Sequence, residues 1–290
     1  MKKWIFVALA LAACAQGRQY HVHVPPHVGA HPALVIVFHG HYESADAMER
    51  DTRFDALADR EGFLVAYPSG IARSWNDGRG ITTASKRNVD DVGFVRQIIG
   101  ELRAKYGVDP HRIYATGISN GGMFANRLGC DMPELLAAIG SVVGPMPTNV
   151  AQRCHATIPV LGIQSTTDPL VDFNGGRGAE GSRATQQLWA RLNGCAPEPR
   201  VEELAPRVHD GTTVTKRSYT SCRADVVWYE IAGGGHRWPG SKESVVVKRV
   251  LGPASANLDA TSVLWEFFRR HVGSAGVPPA AGERPARRPS

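Results

Sequence analysis

The feature that most restricts the fold is a succession of short apolar runs alternating with helix-like stretches. "ALVIVFHG" (Ala33 to Gly40) is continuously apolar and ends in glycine, as a strand covered on both faces would be. "ADAMERDTRFDALADREG" follows as a single expected helix, with Phe54, Leu57 and Ala58 on one face and Gly62 as its stop. "FLVAYP" reads as strand, and "DDVGFVRQIIGELRAKYG" as helix, with Val92, Val95, Ile98, Ile99 and Leu102 on one side. "RIYATG", "AAIGSVVG", "PVLGIQS" and "DVVWYEIAGGG" complete the strands, and "ATSVLWEFFRRHV" closes the chain as an amphipathic helix. Alternation of this kind predicts an α/β protein: one mostly parallel sheet with helices on both faces, in a single domain over residues 18–272.

Ligands of such sheets bind at the carboxyl ends of the strands, so chemistry should be sought in residues just after each run. The segment "RIYATGISNGGMFANRLGC" places Ser119 there, in a G-x-S-x-G pattern. With 31 glycines in 290 residues, such a pattern arises by chance about 0.2 times per chain, so its context decides. A β-branched and aromatic run precedes it and a helix candidate follows. Strand, sharp turn and helix are what an exposed nucleophilic serine needs: Gly117 and Gly121 let the chain bend, and the helix N-terminus faces the reacting oxygen.

A serine hydroxyl is a weak nucleophile at neutral pH and needs a base held by an acid. "PVLGIQSTTDPL" puts Asp168 after one strand and "VVWYEIAGGGHRWPG" puts His236 after another, in the order Ser, Asp, His. Asp172 is the competing acid, farther from its strand end. The oxyanion donors expected are the backbone N–H of Asn120 and, from the loop "FHGHYES", that of His41, with Gly40 as the next choice. Asp90 and Asp91 read as helix N-terminal charges. No metal is expected: His39 and His41 lack a third ligand at suitable spacing, and His21 and His23 read as one face of an exposed edge strand. No cofactor is expected either.

The start, "MKKWIFVALALAACAQG", has a basic end, a short apolar run and small residues, which is the pattern of an export signal over residues 1–15. "LAAC" also fits a lipobox, which would make Cys14 a lipid-anchored residue of a periplasmic or outer-membrane lipoprotein; a cut after Ala15 would release a secreted protein. Setting Cys14 aside leaves Cys130, Cys154, Cys195 and Cys222. In an oxidising compartment these imply two disulfides with three possible connectivities, of which sequential pairing closes the shorter loops. Residues 273–290, rich in Gly, Pro and Arg, read as a disordered tail. The net charge of +6 is concentrated partly in Lys2, Lys3 and that tail, so nucleic acid is not an expected partner.

The segments "FHGHYESA", "GFLVAYPSG", "SWND", "VDDVGFVRQII", "DPHRIYATGISNGGMFANRL", "STTDPLVDFNGG" and "GGGHRWPG" together resemble the polyhydroxybutyrate-depolymerase-like esterases, a group that includes feruloyl and acetylxylan esterases of carbohydrate esterase family 1. The likeness runs from about Tyr20 to Val272. It implies an α/β-hydrolase fold, the triad Ser119, Asp168 and His236, and a substrate that is a feruloyl or acetyl ester of plant polysaccharide or a hydroxybutyrate ester. It also implies that Trp75 and Asn76 lie near the acyl pocket, with Trp238 beside His236 as a further substrate contact. One departure is His41, which stands where the resembled enzymes have a small residue or Cys after the His-Gly pair. A serine peptidase or acyltransferase on the same fold, and a non-catalytic surface lipoprotein, are the competing functions.

Overall fold

The computed structural model describes residues 18–273 except 243 and 244. The export signal, Cys14 and nearly all of the tail therefore lie outside the described residues. The strands are β1 (Tyr20–His23), β2 (Leu34–Phe38), β3 (Leu64–Pro68), β4 (Ile113–Ile118), β5 (Ala138–Val142), β6 (Val160–Ser165), β7 (Arg200–Leu204), β8 (Thr213–Ser218) and β9 (Val226–Ala232). The helices are α1 (Ala45–Thr52), α2 (Phe54–Glu61), α3 (Thr83–Lys86), α4 (Asp91–Tyr106), α5 (Asn120–Asp131), α6 (Thr148–Ala151), α7 (Ser182–Leu192), α8 (Val245–Leu251) and α9 (Ala260–Phe268).

The nine strands among the described residues form one sheet in the order β1-β3-β2-β4-β5-β6-β9-β8-β7. From β3 to β9 the pairings are parallel, while β1 and the β7–β8 pair are antiparallel additions at the two edges. Strands β2 to β6 are buried along their whole length because helices cover both faces, so their sequences cannot alternate. In β2, Leu34, Ile36 and Phe38 enter one core with residues of α4 and α5, and Val35 and Val37 enter the other with residues of α1, α2 and α9.

The short helices α3, α6 and α8 were not expected from the sequence, and four further segments differ from its reading. The expected single helix after β2 is two, because Arg53 adopts a left-handed conformation (φ 56°) that ends α1 and begins α2. Strand β7 (RVEEL) is almost wholly exposed and β8 (TVTKRS) is half-buried, with Val214 as its one buried residue, and neither carries the apolar run by which the inner strands are recognised. Helix α7 is polar along most of its length. Its buried residues are Trp189 and Ala190 with Ser182, Thr185 and Gln186, so its apolar period is faint.

Two disulfides, Cys130–Cys154 and Cys195–Cys222, tie α5 to the segment after α6 and the end of α7 to the loop after β8. This is the sequential connectivity. His21 and His23 stand on the edge strand β1, paired with Glu49 at 2.8 Å and Asp59 at 2.7 Å. Asp90 caps α4 by accepting from the Gly93 N–H at 2.7 Å, and Asp91 is buried against Arg18 at 2.5 Å.

Candidate active site

Ser119 occupies the turn between β4 and α5 with φ 55° and ψ −120°. A non-glycine residue holds such a conformation only where its surroundings over-determine it, at a cost of about 1–3 kcal/mol. The flanking glycines make the turn possible. A Cβ on Gly121 would lie 2.3 Å from the Phe38 carbonyl oxygen, and one on Gly117 would lie 2.5 Å from the same atom. The elbow therefore packs directly against the end of β2, which also delivers the loop carrying His41.

His236 follows β9 and Asp168 follows β6. The His236 Nδ1–H donates to Asp168 Oδ2 at 2.7 Å, with both side chains buried. Asp168 Oδ1 accepts from the N–H groups of Leu170 and Val171 at 2.8 and 2.9 Å, which fixes the carboxylate plane. The His236 loop is pinned by its own N–H donating to the Leu251 carbonyl at 2.6 Å and by Gly235 donating to Pro253 at 2.9 Å. With the proton on Nδ1, Nε2 is left as an acceptor. Ser119, Asn120, His41 and His236 line one cavity of about 420 Å³. An adjoining chamber of about 590 Å³ runs along the Asp168 loop and shares Arg79, Met123, Leu170, Val171 and Arg177 with the first. Asp172, the competing acid, lines the outer chamber, is exposed, and accepts from the Asn174 N–H at 2.8 Å.

The loop after β2 is held by two side chains whose part was not foreseen from the sequence. His39 is buried, its Nε2 accepts from the Gly70 N–H at 3.0 Å and its Nδ1–H donates to the Gly40 carbonyl at 2.7 Å. Because carbonyl and N–H point in opposite directions across a trans peptide, this clamp on the Gly40 oxygen fixes the direction of the His41 N–H. Glu43 Oε2 takes the Gly40 N–H at 2.8 Å, so the Gly40 N–H is already engaged. Burial lowers the His39 pKa and raises that of Glu43. Burial also lowers the pKa of His41, with the Arg79 charge adding to the effect, and the His41 Nε2 is buried without a hydrogen-bond partner among the described residues.

A profile described as esterase PHB depolymerase matches residues 18–176. This chain belongs to that esterase family. Membership makes it a carboxylic ester hydrolase. It is 34% identical over 256 residues to the NocK protein of Nocardia uniformis subsp. tsuyamanensis, an alignment covering 80% of this chain and 74% of that one. It is 31% identical to feruloyl esterase B of Piromyces equi, over 70% of this chain but 39% of the relative's length. The acetyl xylan esterase from Aspergillus awamori shares the fold, with a TM-score of 0.59 at 17% identity over 75% of this chain and 88% of that one. The α/β-hydrolase expectation is thereby met.

The substrate contacts expected from the family likeness are corrected by burial. Trp75 is fully buried, donates its indole N–H to the His39 carbonyl at 2.9 Å and stacks on Phe124, so it braces the loop after β2 from beneath. Asn76 is buried with its amide on the Val89 carbonyl at 3.0 Å. Trp238 is buried against Phe54, with its N–H on Thr261 Oγ1 at 3.0 Å. None of the three lines the Ser119 cavity, whose wall is instead His41, Tyr42, Ile81, Met123, Leu170 and Leu251 beside the polar groups already named. Among the described residues, His21, Asp46 and Glu49 form the group that could bring three metal-ligand atoms together, and none of them lines this cavity.

Proposed function

We propose that the chain is an exported serine esterase that works through an acyl-Ser119 intermediate on short acyl esters: feruloyl or acetyl groups on plant polysaccharide, or hydroxybutyrate oligoesters. The observation that carries the reading is the Asp168–His236 hydrogen bond of 2.7 Å beside a cavity that His236 shares with Ser119. In this reading Ser119 Oγ attacks the ester carbonyl while His236 Nε2 takes its proton. The developing oxyanion receives the N–H groups of Asn120 and His41, and Asp168 stabilises the imidazolium. Collapse breaks the ester C–O bond, and His236 returns the proton to the departing alcohol. Water, deprotonated by His236, then attacks the acyl carbon and releases the acid and Ser119. The two disulfides support export, because thiols stay reduced in most cytosolic compartments.

Purified Ser119→Ala protein tests the mechanism on p-nitrophenyl acetate and methyl ferulate. The expected loss in kcat is about 10⁴-fold or more. Retention of wild-type turnover would remove Ser119 from the reaction.

A further inference from the structure

Two arginines line both chambers of the cleft, Arg79 and Arg177. Arg79 is nearly buried, at 10% side-chain exposure, and turns Nε and Nη2 toward Asp77 Oδ2 at 2.9 and 2.8 Å. Arg177 is exposed and, among the described residues, has no hydrogen bond or ion pair.

Arg177 is nevertheless held on a rigid support. Gly176 and Ala179 exchange backbone hydrogen bonds of 2.9 and 3.0 Å around Arg177 (φ 52°) and Gly178 (φ 76°). Positive φ at both central residues makes this a two-residue type I′ turn, in which Asn, Asp or Gly is the favoured first residue and arginine gains nothing from the backbone. The turn is fastened from outside, since the Thr148 N–H donates to the Gly178 carbonyl at 2.9 Å and the Glu180 N–H to that of Met146 at 2.8 Å. A Cβ on Gly178 would lie 3.6 Å from the Arg79 Cβ and Cγ, so the stem of one arginine packs beside the turn that carries the other.

Three of the carboxylates near them are committed to other partners, and Asp172 stands exposed on the wall of the outer chamber. Asp77 is shared between Arg79 and the Asn120 side chain, Asp168 serves His236, Glu43 holds the Gly40 N–H, and Asp172 makes no ion pair among the described residues. Arg177, unpaired among the described residues, and Arg79 thus line the same cavity as Ser119. Planar guanidinium groups bind carboxylates in paired, charge-assisted hydrogen bonds.

We infer that Arg177, with Arg79 beside it, is a specificity site for a carboxylate carried by the substrate a few bonds from the scissile ester. The preferred substrates are then short ester acids, such as linear hydroxyacyl oligomers with a free carboxyl end, rather than neutral acetyl or feruloyl sugar esters. The inference rests on the serine-esterase reading above and narrows its substrate class.

The test compares kcat/KM for the linear dimer of 3-hydroxybutyrate, as the free acid and as its methyl ester, at neutral pH and low salt. Wild type should prefer the free acid by about tenfold, and the preference should weaken as salt is raised. In Arg177→Gln the ratio of the two values should fall to near one, while Arg177→Lys should keep part of it. A wild type that hydrolyses p-nitrophenyl acetate but does not favour the free acid, or turns over neither dimer, overturns the inference. So does an Arg177→Gln protein with an unchanged ratio. A wild type inactive on p-nitrophenyl acetate as well as on both dimers overturns the serine-esterase reading itself.

Discussion

The Asn120 side-chain amide donates to Asp77 Oδ2 at 2.6 Å, joining the first residue of α5 to the loop that follows β3. Asn120 also accepts from the Trp75 N–H at 2.7 Å, so its side chain is spent on the scaffold at the wall of the cavity. The same Asp77 oxygen pairs with Arg79 at 2.8 Å, and Asp77 is fully buried. Replacing one member of a buried pair strands the other charge, at a cost of about 3–5 kcal/mol. Asp77→Ala should lose that much unfolding free energy in urea titration. Asp77→Asn, which keeps an acceptor for Asn120, should lose less. Equal stability of both variants with wild type would show that this junction carries no load.

His39 predicts a pH dependence. Both of its ring nitrogens are used in the neutral form, and burial lowers its pKa in the folded state. In the unfolded chain the imidazole takes a proton near pH 6.5. The folded state therefore binds fewer protons, and the stability this residue contributes is present above about pH 6.5 and is lost as pH falls toward the folded value. Wild type should lose up to about 1.4 kcal/mol per pH unit from this residue below that point. His39→Gln should show a shallower acid limb in melts between neutral pH and about pH 5. Its kcat should also fall, with KM changed less, because the Gly40 carbonyl loses its clamp.

Glu43 runs in the opposite sense. Burial raises its pKa, so the folded state binds more protons than the unfolded chain. Its contribution is favourable below the unfolded value near 4.3 and is lost as pH rises through the folded one. Glu43→Gln keeps an oxygen for the Gly40 N–H and removes the buried charge. The variant's melting temperature relative to wild type should rise between pH 4 and pH 7. A difference that stays constant over that range would mean the carboxyl's ionisation has no bearing on stability.

The sequence carried the inner sheet because β2 to β6 are buried on both faces, and residues so placed must be apolar without interruption. Ser119 directly follows β4, and Asp168 and His236 lie within four residues of the ends of β6 and β9, which is why the strand pattern led to them. Strands β7 and β8 were invisible because β7 is an exposed edge and β8 beside it is only half-buried, so neither needs an apolar run. Trp75, Asn76 and Trp238 were misplaced because adjacency in sequence says nothing about direction. A tryptophan near a serine loop can face the ligand or brace the loop from below, and here all three face inward. The supporting contacts of His39, Glu43 and Asp77 join segments distant in the chain or turn on side-chain direction, and no spacing rule exposes them. The arginine turn at Arg177 needed three dimensions as well, since its neighbour Arg79 lies almost a hundred positions earlier.

Two glycines with different surroundings give the last prediction. Gly121 sits in the first turn of α5, where an added Cβ would lie 2.3 Å from the Phe38 carbonyl oxygen and 2.7 Å from that of His39. Backbone cannot yield locally at such distances, so Gly121→Ala must push the end of β2 away from the elbow, and with it the Gly40–His41 peptide. Hydrolysis of p-nitrophenyl acetate by Gly121→Ala should fall by about 100-fold or more, the range expected for loss of an oxyanion donor. Gly100 lies in α4 with nothing within 4 Å of an added Cβ and with its surface exposed. There alanine only restricts the unfolded chain and favours the helix, so Gly100→Ala should gain about 0.5–1 kcal/mol in unfolding free energy and keep its activity. If the two variants behaved alike, in activity or in stability, the close approach of α5 to the end of β2 would not be what aligns the oxyanion loop.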